Sequence, residues 1–375
     1  MDFELSDEQR MLADSLRRYL QGEYGFEHRR HIARQEQGFG RGAWTAFAEM
    51  GVLGLTIAPE YGGFGEGAAS QLVVQRELGR ALVLEPVTAC AVIAAAILGK
   101  YGNPDQKVRY LSAMAQGQCI VVPAWLEPGS RYAEDGVTAS ARRTGDGYVL
   151  TGRKTLVWHA GIADALLVTA IVEGDETPTM FLVDTSLAGV EVAGYPTLDG
   201  MRAGDVKLDR VAVAAQGRIG EQGAGGEAVR CGEDHGIAAL CAEAGGAMER
   251  LIEMTSEYLS ARQQFGKPLG AFQALQHRMA DMVIQKELAV SMAYVAAQAL
   301  DEADGDTRNR KLAAAKFMMA KAGRFVGQQA VQLHGGMGMT DELAVGDYFK
   351  RLTMLDSLLG DCDHHLDRYG RLLAA

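Results

Sequence analysis

An arginine at the end of a long helical pattern has the type and position to bind a phosphate. It opens the segment Arg262-Gln263-Gln264-Phe265-Gly266-Lys267-Pro268-Leu269, which turns sharply at Gly266 and Pro268. A guanidinium can donate two parallel hydrogen bonds to a phosphate, and the nearby aromatic ring can cover an adenine or a sugar. The same pattern fits a helix C-cap with an ordinary surface arginine, and spacing alone leaves both interpretations open.

A glycine-rich turn follows a second helical pattern, at Gln332-Leu333-His334-Gly335-Gly336-Met337-Gly338-Met339. Three glycines within four residues allow backbone N–H groups to approach a ligand closely. The alternative is a turn that simply ends the helix. The segment is not a Walker loop, and the sequence has no GxGxxG motif after a strand.

Acid–base and metal-ligating residue types occur in two further places. Glu233 and Asp234 precede His235, where they suit either proton transfer or a polar helix start. The run Asp361-Cys362-Asp363-His364-His365 contains metal-ligating types, but adjacent residues on a helix do not converge and the spacing matches no zinc pattern. We therefore expect a solvated helix face there and no metal site.

The elements that position these residues change character along the chain. Helical spacing of apolar residues fills the first third, short β-type runs begin near Ile120, and helical patterns resume after a glycine-rich connector at 220–226. Long helices are predicted at 272–300 and 308–334. The sequence predicts an α+β protein with an N-terminal helical domain (1–119), a middle β-barrel (120–222) and a C-terminal helical bundle (223–375).

Composition excludes several classes of protein. The 375 residues carry 37 Lys+Arg against 48 Asp+Glu, a net charge of −11, which argues against a nucleic-acid partner. Five scattered cysteines and the acidic start Met1-Asp2-Phe3-Glu4 favour a reduced, cytoplasmic setting. The longest apolar stretch, at 87–98, is shorter than the roughly 20 residues that cross a bilayer, so no membrane partner is expected.

Together these segments resemble the acyl-CoA dehydrogenase family across essentially the whole chain. Pro59-Glu60-Tyr61-Gly62-Gly63 is similar to the family's N-terminal Pro-Glu-x-x-Gly-Gly loop. Glu127-Pro128-Gly129-Ser130 resembles the segment that opens the middle domain, and 262–269 and 332–338 resemble the two strongest family signatures. The resemblance implies FAD, an acyl-CoA substrate that is desaturated between its α and β carbons, and electron-transfer flavoprotein or a similar acceptor. It also implies a dimer of dimers.

In the family each FAD lies across a dimer interface. One subunit's middle domain holds the flavin ring, while the neighbouring subunit meets the pyrophosphate and the ADP half. The resemblance assigns the neighbour-side contacts of this chain to Arg262, Gln264, Phe265, Leu269, Gln273, Gln332, Gly335 and Gly336.

The flavin-ring side departs from the family pattern. The threonine that usually precedes Glu-Pro is Leu126, and the Trp-Ile-Thr segment becomes Leu156-Val157-Trp158. Trp158 therefore stands where a small hydroxyl residue usually bonds the flavin. A flavin edge without these donors loses affinity and electronic tuning.

The usual catalytic base is also missing. The family glutamate, which precedes a glycine near the C-terminus, is Leu359 here, and a second family position, on the helix before the arginine motif, is Gly236. Asp234 and Glu233 are the candidate replacements, provided that the helix start is shifted. Asp356 and Asp361 are other stand-ins.

A retained neighbour side with a degraded ring side and no base is typical of a non-catalytic subunit. The chain most resembles the small subunit of heteromeric, pimeloyl-CoA-type dehydrogenases, which would complete a partner's FAD site in a heterotetramer. One alternative is a homotetrameric dehydrogenase with a relocated carboxylate base. The others are a flavin monooxygenase or oxidase on the same fold, and an acyl-CoA-binding or scaffold protein without FAD.

Overall fold

The computed structural model describes residues 5–132 and 136–374, and the N-terminal part is helical as its apolar spacing predicts. Ser6 and Gln9 form the predicted capping box at the first helix. Residues Val87–Ala94 form a π-helix that continues directly into an α-helix. The helices before the sheet are α1 (Asp7–Glu23), α2 (Phe26–Arg34), α3 (Arg41–Glu49), α4 (Ala68–Ala81), α5 (Ala95–Tyr101), α6 (Pro104–Gln106) and α7 (Ser112–Ala115).

The middle part is an eight-stranded sheet with the order β6-β7-β3-β2-β4-β5-β8, in which β1 pairs in parallel with β4. Its central strands are almost entirely apolar and buried, as expected of strands that are covered on both faces. The strands are β1 (Val121–Ala124), β2 (Ser140–Thr144), β3 (Gly147–Trp158), β4 (Ala165–Val172), β5 (Pro178–Asp184), β6 (Val190–Pro196), β7 (Arg202–Ala214) and β8 (Arg218–Ile219).

One strand start differs from the sequence prediction. The β-type run at 137–141 predicts a strand from Val137, but β2 begins at Ser140. The N–H groups of Thr138 and Ala139 donate instead to the carboxylate of Glu127, at 2.8 and 3.1 Å. A side chain therefore takes the donors that a strand ladder would use.

The C-terminal part is a set of long helices interrupted by a small hairpin. The predicted helices at 272–300 and 308–334 agree with the structure to within a few residues, and Asp304 caps the second by accepting from the N–H of Thr307 at 3.0 Å. The elements are α8 (Gly225–Ala261), β9 (Gln263–Gln264), β10 (Lys267–Pro268), α9 (Gln273–Ala299), α10 (Gly305–His334), α11 (Val345–Ser357) and α12 (Cys362–Ala374).

The chain forms two compact units, one of residues 1–30, 68–83 and 237–375 and one of residues 31–67 and 84–236. In the first unit, two glycines allow α4 and α8 to pack at backbone contact. A Cβ on Gly79 would lie 2.0 Å from the carbonyl oxygen of Glu243, and one on Gly246 would lie 1.9 Å from that of Arg76. The three predicted domain boundaries remain predictions. No helix in the described ranges is both long and apolar enough to cross a membrane.

Candidate functional site

The predicted phosphate-binding segment is an exposed hairpin. β9 pairs antiparallel with β10 around the two-residue turn Phe265-Gly266, and both turn residues have positive φ, 54° and 78°. The N–H of Leu269 donates to the carbonyl of Arg262 at 2.8 Å and closes the hairpin at its base. Phe265 is 88% exposed and Gln264 is exposed beside it, so the tip can contact another molecule.

Arg262 itself stands at the junction of α8 and the hairpin. Its side chain is exposed, and within residues 5–132 and 136–374 its guanidinium has no hydrogen-bond or ion-pair partner. Gln273, the first residue of α9, is also exposed. A free guanidinium beside an exposed aromatic ring suits a phosphate and the group attached to it.

The glycine-rich turn contains two glycines that the fold requires, Gly335 and Gly338, and one that it does not require, Gly336. Gly335 ends α10 at φ 59°, and a Cβ on Gly338 would lie 2.7 Å from the carbonyl oxygen of Val331. Gly336 has no positive φ, and no heavy atom of residues 5–132 and 136–374 lies within 4 Å of the position that its Cβ would take. The open space above Gly336 therefore fits a group that approaches the backbone from outside, as the ADP half of FAD would.

A stacked pair of rings brings the two segments together within one unit. Tyr258 lies one helical turn before Arg262, and its ring stacks on His334, with centroids 4.4 Å apart and an interplanar angle of 28°. The Nδ1 of His334 donates to the carbonyl of Ala330 at 2.8 Å, and burial lowers the pKa of this imidazole. The ring is therefore neutral at pH 7 and stacks as an ordinary aromatic. Sequence reasoning missed this pair, although both residues belong to patterns that it examined.

Gln332 is exposed in the last turn of α10, next to the stacked His334. The predicted neighbour-side residues thus lie on the hairpin and immediately before and after it, on the first turn of α9, and on the last turn of α10 and the turn that follows. These residues are Arg262, Gln264, Phe265, Leu269, Gln273, Gln332, Gly335 and Gly336.

We call Leu126, Leu156 and Trp158 the flavin-ring wall, because the resemblance places them beside the flavin ring. All three lie in the other unit, and Leu156 and Trp158 lie at a bulge in β3. The pairing of β3 with β7 shifts between Lys154 and Val157, and both Leu156 and His159 have positive φ, 50° and 57°. Trp158 lies between them, half-buried and paired with Ala203. Bulges of this kind re-aim a side chain, often next to a binding site.

A buried ion pair anchors the same wall. Lys154, fully buried, donates to Glu127 at 2.6 Å and to the hydroxyl of Thr169 at 3.1 Å. Burial opposes ionisation of Glu127, but the charge of Lys154 and hydrogen bonds from Lys154 and Thr138 hold the pKa of this carboxyl below its usual value. Sequence reasoning missed the pair, although Glu127-Pro128 and the Gly-x-Lys before Trp158 both pointed to this wall.

Leu126 and Leu156 lie close in sequence to the Lys154–Glu127 ion pair, and their side chains contribute no hydrogen bonds. The backbone carbonyl of Leu126 accepts from the N–H of Thr155 at 2.9 Å, so its main chain is engaged in the wall. The side chains of Leu126 and Leu156 are half-buried and apolar, and neither can donate a hydrogen bond. The wall therefore provides shape, but no side-chain donor at these two positions.

The candidate carboxylates do not stand at a helix start. α8 begins at Gly225, so Glu233, Asp234 and Gly236 all lie inside this helix. Asp234 is buried, at 7% exposure, and Glu233 is half-buried. Nothing in the position of α8 decides whether either carboxylate reaches a substrate, and their assignment as the base stays a prediction.

The position that the resemblance assigns to the usual family glutamate lies in the turn between α11 and α12. Leu359 occupies it with φ 55°, just before Gly360. Asp356, the nearest stand-in, accepts from Arg324 at 2.6 Å and from the N–H of Cys362 at 2.9 Å, while Asp361 accepts from the N–H of His364 at 2.9 Å. Both carboxylates therefore serve the local fold.

Comparison with known proteins gives a family for the whole chain. Models of the N-terminal, middle and C-terminal domains of acyl-CoA dehydrogenase match residues 6–118, 125–211 and 224–373. "Acyl-CoA dehydrogenase FadE27" of Mycobacterium tuberculosis is 32% identical over 355 residues, which cover 93% of this chain and 92% of that protein.

Two solved structures extend the likeness to the fold. The ChsE4-ChsE5 complex from Mycobacterium tuberculosis contains a chain that is 30% identical, with a TM-score of 0.90 over 100% of this chain and 99% of that one. The FAD complex of PigA gives 25% identity and a TM-score of 0.91 over 100% and 99%. The chain therefore belongs to the acyl-CoA dehydrogenase family, whose members are FAD-dependent oxidoreductases that act on acyl-CoA.

Proposed function

We propose that this chain is the small subunit of a heteromeric acyl-CoA dehydrogenase, and that it completes the FAD site of a catalytic partner without supplying a base of its own. The observation that carries the proposal is a contrast between two sites in one chain. The sequence retains the eight residues that the resemblance assigns to the neighbour side, on the hairpin, at the start of α9 and around the glycine turn, whereas Leu359 and Gly236 stand at the two family base positions.

The neighbour-side half supports the proposal through chemistry that the chain can perform on its own. Arg262 would bind the pyrophosphate with its free guanidinium, and the backbone around Gly336 would take the ADP half. Bound FAD supplies the acceptor for the substrate hydride. The contribution of this chain is to bind and orient that cofactor for the ring site of the partner.

The absence of a carboxylate at Leu359 and Gly236 supports a complex in which the partner subunit supplies the base. An α-proton next to a thioester is weakly acidic, so its removal needs a carboxylate in a dry pocket. Leu359 has no titratable group, and Gly236 has no side chain. The partner subunit would therefore provide the carboxylate, the contacts to the flavin ring and the site at which the acyl-CoA reacts.

A related structure supports the idea of a second kind of subunit. The ChsE4-ChsE5 complex is named for two different chains, and one of them is 30% identical to this chain over its whole length. By analogy we infer a dimer-of-dimers heterotetramer in the cytoplasm. Electron-transfer flavoprotein or a similar acceptor would reoxidise the flavin.

A second candidate is a homotetrameric dehydrogenase whose base is Asp234 or Glu233. The burial of Asp234 favours it, because a carboxylate in a dry environment has the character that a base needs. This candidate predicts that the chain alone desaturates an acyl-CoA, and that Asp234→Asn or Glu233→Gln abolishes the reaction.

Arg262→Ala in this chain, co-expressed with its partner, tests the first proposal. We expect the purified complex to retain less FAD, because the pyrophosphate loses its cation, while the ratio of subunits stays unchanged. Arg371→Ala is the matched control, since Arg371 is exposed in the same unit and pairs only with Asp367 among the described residues. Unchanged FAD retention in the Arg262→Ala complex would overturn the proposal.

A further inference from the structure

The turn between α11 and α12 is held by a lysine that the proposed function does not use. Lys316 lies in α10 and is fully buried. Its ammonium donates to the carbonyl oxygens of Leu355 at 2.9 Å, Asp356 at 2.8 Å and Gly360 at 2.7 Å. All three of its N–H donors are therefore used, and all three acceptors belong to the end of α11 and the turn that follows.

This arrangement differs from an ordinary buried ion pair. Across the described part of the chain, no carboxylate lies within ion-pair distance of Lys316, so its direct hydrogen-bond partners are carbonyl oxygens, and Asp356 and Asp361 act on its charge only from farther away. Burial lowers the pKa of Lys316 to about 8. The titratable groups that face it are Cys241 on α8, Asp356 in the last turn of α11, Asp361 in the turn, and Cys362 and His365 on α12.

The turn needs such support because its backbone is unfavourable. Leu359 has φ 55° and Gly360 has φ 95° in succession, and a left-handed leucine costs on the order of 1 kcal/mol. His365 adds a second contact, with its Nε2 donating to the carbonyl of Leu359 at 2.8 Å. The same ring lies so close that a Cβ on Gly360 would be 2.6 Å from Nε2.

We propose that Lys316 is a positioning residue that fixes the turn at 358–360 and thereby orients the side chain of residue 359. The proposal rests on the proposed function in one respect, because position 359 is where the family places its glutamate. The turn keeps a rigid geometry for presenting a side chain even though that side chain is now a leucine.

Hydrogen exchange of backbone amides tests the proposal on the full chain. In Lys316→Met, we expect the amides of Leu358 and Cys362, which donate to the Met354 carbonyl and the Asp356 carboxylate, to exchange about tenfold faster or more, while the middle of α10 stays protected. Lys311→Met is the control, because Lys311 lies on the same helix but is half-exposed and pairs with Glu302 at 2.7 Å. Unchanged protection of the turn, or an equal loss throughout the bundle, would overturn the positioning role.

A pH profile of the unaltered protein decides the question even if Lys316→Met does not fold. A neutral amine has only two N–H groups, so one of the three carbonyls loses its donor when Lys316 is deprotonated. After correction for the intrinsic rate, exchange at Leu358 and Cys362 should rise as the pH passes about 8, and it should rise equally in Lys311→Met. A flat profile between about pH 7 and about pH 9 would contradict the proposal. Neither measurement needs FAD or a partner, so its failure is distinct from failure of the proposed function.

Discussion

Tyr258 and His334 stack at a centroid distance of 4.4 Å, and this contact joins the two segments that the sequence marks for cofactor binding. Tyr258 orients the end of α8, from which Arg262 and the hairpin extend. His334 orients the end of α10, from which the Gly335–Gly336 turn extends. The proposed neighbour-side FAD site would therefore stand on the ends of two helices that this stack joins, which would position it more firmly than free loops.

Removing the stacked ring should loosen this site. Tyr258→Leu loses the aromatic contact, which is worth about 1 kcal/mol beyond burial, so we expect a small loss of stability and weaker FAD retention in the complex. Tyr258→Phe keeps the ring and should behave like the unaltered protein. Flavin absorbance per complex is the measurement, and equal retention in both variants would contradict a positioning role for the stack.

The two glycines of the turn should respond differently to alanine. The methyl group of Gly336→Ala has no atom of the described residues within 4 Å, so the free energy of unfolding should change by no more than about 0.5 kcal/mol, while FAD binding by the complex weakens about tenfold. Gly338→Ala places its Cβ 2.7 Å from a carbonyl oxygen and should destabilise the fold by about 2 kcal/mol. Denaturation and flavin titration separate the two effects. If Gly336→Ala leaves FAD affinity intact, the cofactor does not approach that backbone.

The close packing of α4 on α8 should make Gly79 intolerant of any side chain. Gly79→Ala puts a methyl group 2.0 Å from the carbonyl of Glu243, so we expect a loss of at least about 3 kcal/mol. Gly99→Ala is the control, since Gly99 is exposed in α5 with no atom within 4 Å of the added methyl group. That substitution should stabilise by about 0.5 to 1 kcal/mol. Equal denaturation midpoints for the two variants would contradict a close backbone contact between α4 and α8 at Gly79.

The buried imidazole of His365 should make stability depend on pH. Burial, together with the charge of Lys316, holds the pKa of His365 at about 3, far below its ordinary value. Between about pH 6.5 and pH 3 the unfolded chain binds a proton that the folded chain does not, so acid favours unfolding. The contribution of this group to the free energy of unfolding should fall by about 2 kcal/mol at pH 5 relative to pH 7.

Urea denaturation at the two pH values, on the unaltered chain and on His365→Gln, measures this contribution. Glutamine does not titrate in this range, so the difference between pH 7 and pH 5 should shrink in the variant by the same amount. An identical pH dependence in both proteins would show that His365 is not the group responsible.

Features encoded locally were predictable from the sequence, and features formed across long separations were not. The sharp turn at Gly266, the turn at Gly335 and the capping box at Ser6 follow from a few adjacent residues, whereas the short strands on either side of Gly266 were not predicted. The predicted strand start at Val137 was wrong because the carboxylate of Glu127 takes backbone donors there.

The contacts that sequence reasoning missed each join two elements. Tyr258 with His334, Lys154 with Glu127, and Lys316 with the turn at Gly360 depend on which helix or strand packs against which. In each contact, neither residue's type indicates its partner, since each residue is an ordinary member of a helical or strand pattern. Packing decides these contacts, and the chain order alone does not specify it.

The FAD content of this chain, measured by flavin absorbance alone and with its partner, tests the central claim most directly. If the chain is a small subunit that completes a partner's FAD site, we expect little or no FAD on the chain purified alone, and about one FAD per pair of subunits after co-expression with a catalytic acyl-CoA dehydrogenase subunit. About one FAD per chain in the protein purified alone would contradict it, because the ring site at Trp158 would then hold the cofactor without a partner.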